Sequence, residues 1–227
     1  MKNIANKLTR QKQMSEALIV GMFLAFSGGF QDAYTYILRG HVFANAQTGN
    51  IVLMSTYFMK NEYLYALKYL VPLVAFALGV FVAEQIGFRL KYFKKVHWRQ
   101  IVLLIEIAIL FVVGFLPLKY NIIANSLVSL ACAMQVQAFR KVSGNAYATT
   151  MCIGNLRSGM AAISEFTRTK KRETLKKAAY YFVVIFVFAI GAGIGGTFSK
   201  DIGIHAIWVS CAFLIVAIGL MAMEIRK

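Results

Sequence analysis

The sequence predicts an all-α integral membrane protein of six transmembrane helices plus two re-entrant Gly-Asn segments, arranged as an inverted 3+3 repeat. Three observations predict it. First, 59% of residues are apolar and 15% are charged, where soluble domains carry roughly a quarter charged; mean hydropathy is +0.63. Second, the apolar residues come in blocks of about 20, enough to cross a hydrocarbon core of roughly 30 Å as helix. Third, Lys and Arg cluster between those blocks, as in cytoplasmic membrane loops.

The blocks fall at 17–38, 43–59, 63–88, 101–118, 120–139, 147–166, 178–199 and 204–223. Ahead of them lies a basic arm, 1–16, with Lys2, Lys7, Arg10 and Lys12. Arm and first block resemble a signal peptide. The block is long, holds Asp32 and lacks a small-x-small cleavage pattern, so it reads as a retained first helix.

Two blocks, 43–59 and 147–166, are interrupted by Gly49-Asn50 and Gly154-Asn155. Strongly basic connections are the arm, 89–99 and 168–177, with smaller clusters at Arg140-Lys141 and Arg226-Lys227. Poorly basic connections hold Arg39, Lys60, Lys119 and Lys200. If all eight blocks spanned, the arm and 89–99 would face opposite sides, against the positive-inside bias. If the two Gly-Asn blocks enter and return on one side, every basic cluster and both termini fall in the cytoplasm. The first re-entrant segment then enters from outside and the second from inside.

Gly49-Asn50-Ile51 matches Gly154-Asn155-Leu156, and Phe76-Ala77-Leu78-Gly79 matches Phe188-Ala189-Ile190-Gly191, in the same order. Repeat 1 is expected over 17–118 and repeat 2 over 119–224, within one membrane domain. Inverted repeats with broken helices near the midplane are a recurrent transporter and channel design. Each re-entrant segment is expected to descend extended, turn at Gly and return as a short helix capped by Asn50 or Asn155. Helices over 51–59 and 156–166 would rise about 13 and 16 Å, near half the core. Their N-termini would offer N–H groups and a positive dipole end to an anion or polar solute.

Gly28-Gly29-Phe30-Gln31-Asp32-Ala33, followed by Val42 to Asn50 with Thr48-Gly49-Asn50, resembles the YoaK-like family of uncharacterised bacterial multi-pass membrane proteins, a domain of unknown function. The resemblance runs from about residue 15 to 223 and implies a bacterial plasma membrane. The family's second Thr-Gly-Asn stands here as Ile153-Gly154-Asn155, without the hydroxyl.

The expected solute-binding residues are Thr48, Gly49, Asn50, Gly154, Asn155 and Arg157. Asp32, a carboxylate inside an apolar block, reads as a coupling or ion-binding group: a proton carrier, a cation ligand or a partner for Arg157. Its plain structural reading is a hydrogen bond to a neighbouring helix. Arg157 near a helix N-terminus calls for a negative partner, among them Asp32, Glu165 or the solute, or else it snorkels to headgroups. Gln31, Gln135 and Gln137 either line a path or bind helices together. Glu84 and Glu106 read as interface residues near the cytoplasmic ends. Gly191, Gly193, Gly195 and Gly196 read as a helix-packing face.

The leading expectation is a transporter or channel for a small polar or anionic solute, with its site where the two Gly-Asn loops meet. A membrane enzyme and a non-transporting assembly subunit are the alternatives. His41, His97 and His205 form no HExxH cluster and no GxSxG elbow is present. Cys132, Cys152 and Cys211 have no metal or disulfide spacing. No cofactor or metal is expected. The net charge of +16 is assigned to loops facing anionic lipid rather than to nucleic acid. The expected partners are the bilayer, a small-molecule or ionic solute and, as an open option, further copies of the chain.

Overall fold

The computed structural model describes residues 17–90, 97–142, 145–147 and 149–225. The basic arm, Lys91, Lys94, Lys95 and Arg226-Lys227 lie outside the described residues. The helices are α1 (Leu18–Leu38), α2 (Gln47–Met59), α3 (Tyr63–Leu90), α4 (Trp98–Val113), α5 (Asn121–Ala138), α6 (Cys152–Thr169), α7 (Arg172–Ile202) and α8 (Trp208–Ile225). A two-residue ladder pairs Lys141–Val142 with Asn145–Ala146, and short 3-10 turns precede α5 and α8.

The outside is apolar and the inside holds polar groups, which is the arrangement of a membrane protein. Leu64, Phe88 and Ile153 are each more than 80% exposed. Gln31, Asp32, Arg39, Asn50, Glu106, Asn125 and Gln135 are buried. In water such a surface would be an aggregation hazard; against lipid tails it costs nothing. Two described stretches, Tyr63–Leu90 and Arg172–Met223, are long and apolar enough to cross a membrane on their own. That is fewer than the six expected from the blocks. Arg172–Met223 takes in both α7 and α8; of the rest, α4 has only 16 residues, and α1 and α5 spend positions on polar groups, Ser27, Gln31 and Asp32 in the one and Asn121, Asn125, Gln135 and Gln137 in the other.

Contacts at the two ends of the bundle give the direction of each helix. At one end, Arg39 of α1 donates to Leu116 O and Val113 O beyond and within α4, and faces Asn121 at the start of α5. Gly40 lies beside Lys68 near the start of α3. Tyr34 donates to Ile204 O after α7, and Trp208 at the start of α8 donates to Phe111 O. At the opposite end, Trp98 of α4 packs on Gly87 of α3, and Arg99 donates to Ala138 O of α5. Helices α3, α4 and α5 therefore run from one end of the bundle to the other, and α1, α7 and α8 each reach the Arg39 end.

Helices approach closely where a glycine faces a carbonyl. A Cβ at Gly191 of α7 would collide with Phe26 O of α1, and one at Gly79 of α3 with Leu130 O of α5. Gly79 and Gly191 belong to the matched Phe-Ala-x-Gly motifs, and Phe26 precedes Leu130 by the 104 residues that separate Gln31 from Gln135. Small residues let backbones touch where no hydrophobic force drives helices together. Gly195 also packs on Phe30, whereas Gly193 faces open space. The packing face of α7 is thus narrower than the four glycines suggest.

Candidate functional site

The chain reverses at the end of α1 through Gly40 and His41, with φ of 85° and 61°. Glycine reaches that region without a Cβ penalty, and the two together turn the chain back along the helix it has left. Phe43 stacks on Tyr36 with centroids 4.5 Å apart. Two residues on, the Asn45 amide donates to Asp32 Oδ1 at 2.7 Å, and Asn45 Nδ2 donates to Gly28 O at 3.3 Å. Gly28 lies ten residues before Leu38, so the segment has descended about 15 Å along α1. Helix α2 then leads back to the end from which the segment came, where Tyr57 stacks on Tyr65 and Phe58 meets Tyr63 edge-on, both of α3.

Irregular backbone at this depth must find partners inside the protein. Asn50 supplies them. Its Oδ1 accepts from Phe43 N at 3.1 Å, and its Nδ2 donates to Phe43 O at 2.7 Å and to Gln47 Oε1 at 2.9 Å. The expectation that Asn50 and Asn155 cap their helices is corrected. Helix α2 begins at Gln47 and α6 at Cys152, so each Asn occupies the fourth position inside its helix. The two Gly-Asn pairs share that register.

The second loop reaches the same level of α1. Gln135 Nε2 donates to Thr149 Oγ1 at 3.1 Å and to Leu24 O at 3.3 Å. The Thr150 methyl occupies the space where Gly28 lacks a side chain. Asn45 from one loop and Thr149-Thr150 from the other therefore converge on Gly28. These residues stand a few positions before each Gly-Asn pair. Thr48, Gly154 and Arg157 lie on exposed faces, Gly49 is half-buried, and Asn155 is buried. Arg157 makes no ion pair with Asp32 or Glu165 among the described residues; Asp32 is held by the loop that precedes α2.

Above Gly28 the polar groups continue along the contact between α1 and α5. Gln31 Nε2 donates to Ser27 Oγ at 2.9 Å and to Glu106 Oε1 at 3.1 Å, and Cys132 Sγ donates to Gln31 Oε1 at 2.8 Å. Asn125 Nδ2 donates to Arg39 O at 2.9 Å. Glu106 is fully buried at the centre, which corrects its reading as an interface residue. An acidic side chain in an apolar block does not declare which way it faces. Glu84 does lie at the surface, paired with Arg140 at 2.7 Å. Gln137 bonds to the same carboxylate, away from the centre.

Five buried side-chain atoms have no partner among the described residues: Asn45 Oδ1, Glu106 Oε2, Asn125 Oδ1, Ser129 Oγ and Gln135 Oε1. Three of them stand on α5 at Asn125, Ser129 and Gln135, with Cys132 between. Those positions share one face of a helix and cover about 15 Å of its length. Sequence reading singled out Gln135 of this column and missed Asn125 and Ser129, although polar residues at that spacing inside an apolar block are its signal. Among the described residues no group of three His, Cys, Asp or Glu could hold a metal ion.

The family model described as protein of unknown function, DUF1275, matches residues 20–220. The chain belongs to the DUF1275 family. The match spans every element that builds the two loops and the α1–α5 column. A curated relative, the UPF0700 transmembrane protein YoaK of Bacillus subtilis (strain 168), is 26% identical over 195 residues, covering 82% of this chain and 85% of that protein. No solved structure matches the chain significantly.

Proposed function

We propose that this DUF1275 chain is a transporter or channel for a small polar solute, which moves along the contact between α1 and α5 and passes Gly28. The observation that carries the reading is the column of buried oxygens without protein partners. A buried polar atom left unpaired costs about 1–3 kcal/mol. Five such costs in one small domain need a return, and a polar occupant supplies it. Two loops that descend from opposite ends to one glycine place a constriction midway along that path.

In this reading six helices cross the bilayer, α2 and α6 are the returning arms of re-entrant segments, and residues 17–118 and 119–224 form an inverted repeat. The end-to-end directions of α3, α4 and α5 and the glycine contacts support it. The relative's name as a transmembrane protein agrees with a membrane location, and the basic clusters support cytoplasmic termini in a bacterial plasma membrane. The anionic branch of the earlier expectation loses its basis. The N-terminal end of α2 faces Asp32, a carboxylate of the chain itself, and Arg157 stands apart from the path.

The test is flux through the full chain reconstituted in proteoliposomes, read by stopped-flow light scattering against a panel of small polar solutes. Glycine 28 is the place to block it. Gly28→Leu is expected to reduce flux at least tenfold, because the added side chain fills the point where the loops converge. Equal flux in liposomes with and without protein, across the whole panel, contradicts the reading.

A further inference from the structure

Resting on the path just described, we propose that its solute is a small organic cation bearing N–H donors, of the ammonium or guanidinium type. The argument is one of complementarity. All five unpaired buried atoms are oxygens: two carboxamide oxygens facing the loop region, one carboxamide and one hydroxyl further along α5, and one carboxyl oxygen on α4. The amide orientations are fixed by chemistry. The nitrogen of each carboxamide already donates to a backbone carbonyl, Asn45 to Gly28 O, Gln135 to Leu24 O and Asn125 to Arg39 O. What remains in each case is an acceptor. A solute that satisfies these groups brings donors.

The charge of the lining has the same sense. Asp32 and Glu106 bracket Gln31, and no salt bridge to either is present among the described residues. Arg39, the buried cation of α1, is spent elsewhere: its guanidinium donates to Tyr34 Oη, Val113 O and Leu116 O. Those carbonyls belong to the C-terminal end of α4, where a cation offsets the helix dipole. Among the described residues the path therefore carries two carboxyl groups and no free cation. Among the five groups only the Ser129 hydroxyl could donate to an anion, whereas a donor-bearing cation would meet an acceptor at each.

The experiment uses the full chain in proteoliposomes and radiolabelled guanidinium, which stays charged at neutral pH. An inside-negative potassium diffusion potential drives uptake of guanidinium and, in a parallel arm, labelled sodium; an inside-positive one drives labelled chloride and formate, and a concentration gradient drives urea. Guanidinium is expected to accumulate, and Gln135→Met is expected to lower its rate at least tenfold. Asn45→Asp, close to isosteric, is expected to lower the half-saturating guanidinium concentration several-fold, a change that a merely structural role would not produce. It also serves where Gln135→Met fails to fold. Passage of chloride, formate or urea with exclusion of guanidinium overturns the cationic class and leaves the path standing. Passage of sodium alone overturns the requirement for N–H donors. No flux of any probe overturns both this inference and the transport reading on which it rests.

Discussion

The backbone amide of Asn45 donates to Asp32 Oδ1 at 2.7 Å, and that bond holds the segment entering α2 part-way down α1. A carboxylate that accepts a backbone N–H forms one of the stronger hydrogen bonds in a protein. It also occupies the helix end that would otherwise favour an anionic ligand.

Asp32→Ala removes the acceptor and leaves the Asn45 amide buried without it. The expected cost is about 2 kcal/mol. Asp32→Asn keeps an acceptor oxygen and is expected to lose less. Thermal unfolding of both variants in detergent, side by side, checks the order; equal losses would mean that the bond does not hold the loop.

Gly79→Ala and Gly191→Ala are each expected to destabilise the bundle by about 1–3 kcal/mol, as overpacking does where backbone must move. Each added methyl meets a carbonyl oxygen of the opposing helix, Leu130 O or Phe26 O. Gly193→Ala, with nothing near its Cβ, is the control and is expected to be neutral or slightly stabilising. Melting temperatures of the three variants decide.

Arg39→Leu strips donors from Tyr34 Oη, Val113 O and Leu116 O at once. The expected loss is about 3 kcal/mol or more, since several buried acceptors are left without donors. Arg39→Lys is expected to recover only part of it, because an ammonium cannot span the same fork. The readout is again unfolding in detergent, together with yield.

Single cysteines at Lys60, Lys119 and Lys200, in a chain freed of Cys132, Cys152 and Cys211, are expected to label from outside intact cells. A cysteine at Lys170 is expected to stay unlabelled. Lys60 follows α2, Lys119 sits in the turn after α4 and Lys200 in the last turn of α7, all assigned to the Arg39 end of the bundle, and Lys170 follows α6 at the other. Labelling of Lys170→Cys from outside would contradict the orientation and the inverted halves.

Several features were legible in the sequence because they are written in patterns that topology cannot hide. Gly49-Asn50 and Gly154-Asn155 mark the two segments whose preceding loops converge on Gly28. The Phe-Ala-x-Gly motifs singled out Gly79 and Gly191, and each lies against a backbone carbonyl of a neighbouring helix. What stayed hidden depends on which way a side chain faces. Glu106 sits in a helix apolar on every side, so its sequence neighbours do not separate interface from centre. Asn45, Thr149 and Thr150 were passed over because the helices begin before the Gly-Asn pairs rather than after them. Arg39 looked like a loop cation, and only the packing of α1 on the end of α4 buries it.

The central claim is that a polar solute reaches the column of oxygens on α5. Its most direct test is the reaction of Ser129→Cys and Gln135→Cys, each in the cysteine-free chain in proteoliposomes, with small charged methanethiosulfonate reagents. Lys60→Cys serves as the accessible control. The account predicts that both positions react with the cationic reagent, that the anionic reagent reacts far more slowly, and that excess guanidinium slows the labelling. If both cysteines stay unreactive while Lys60→Cys labels fully, the column binds helices together and carries nothing, and the account is wrong.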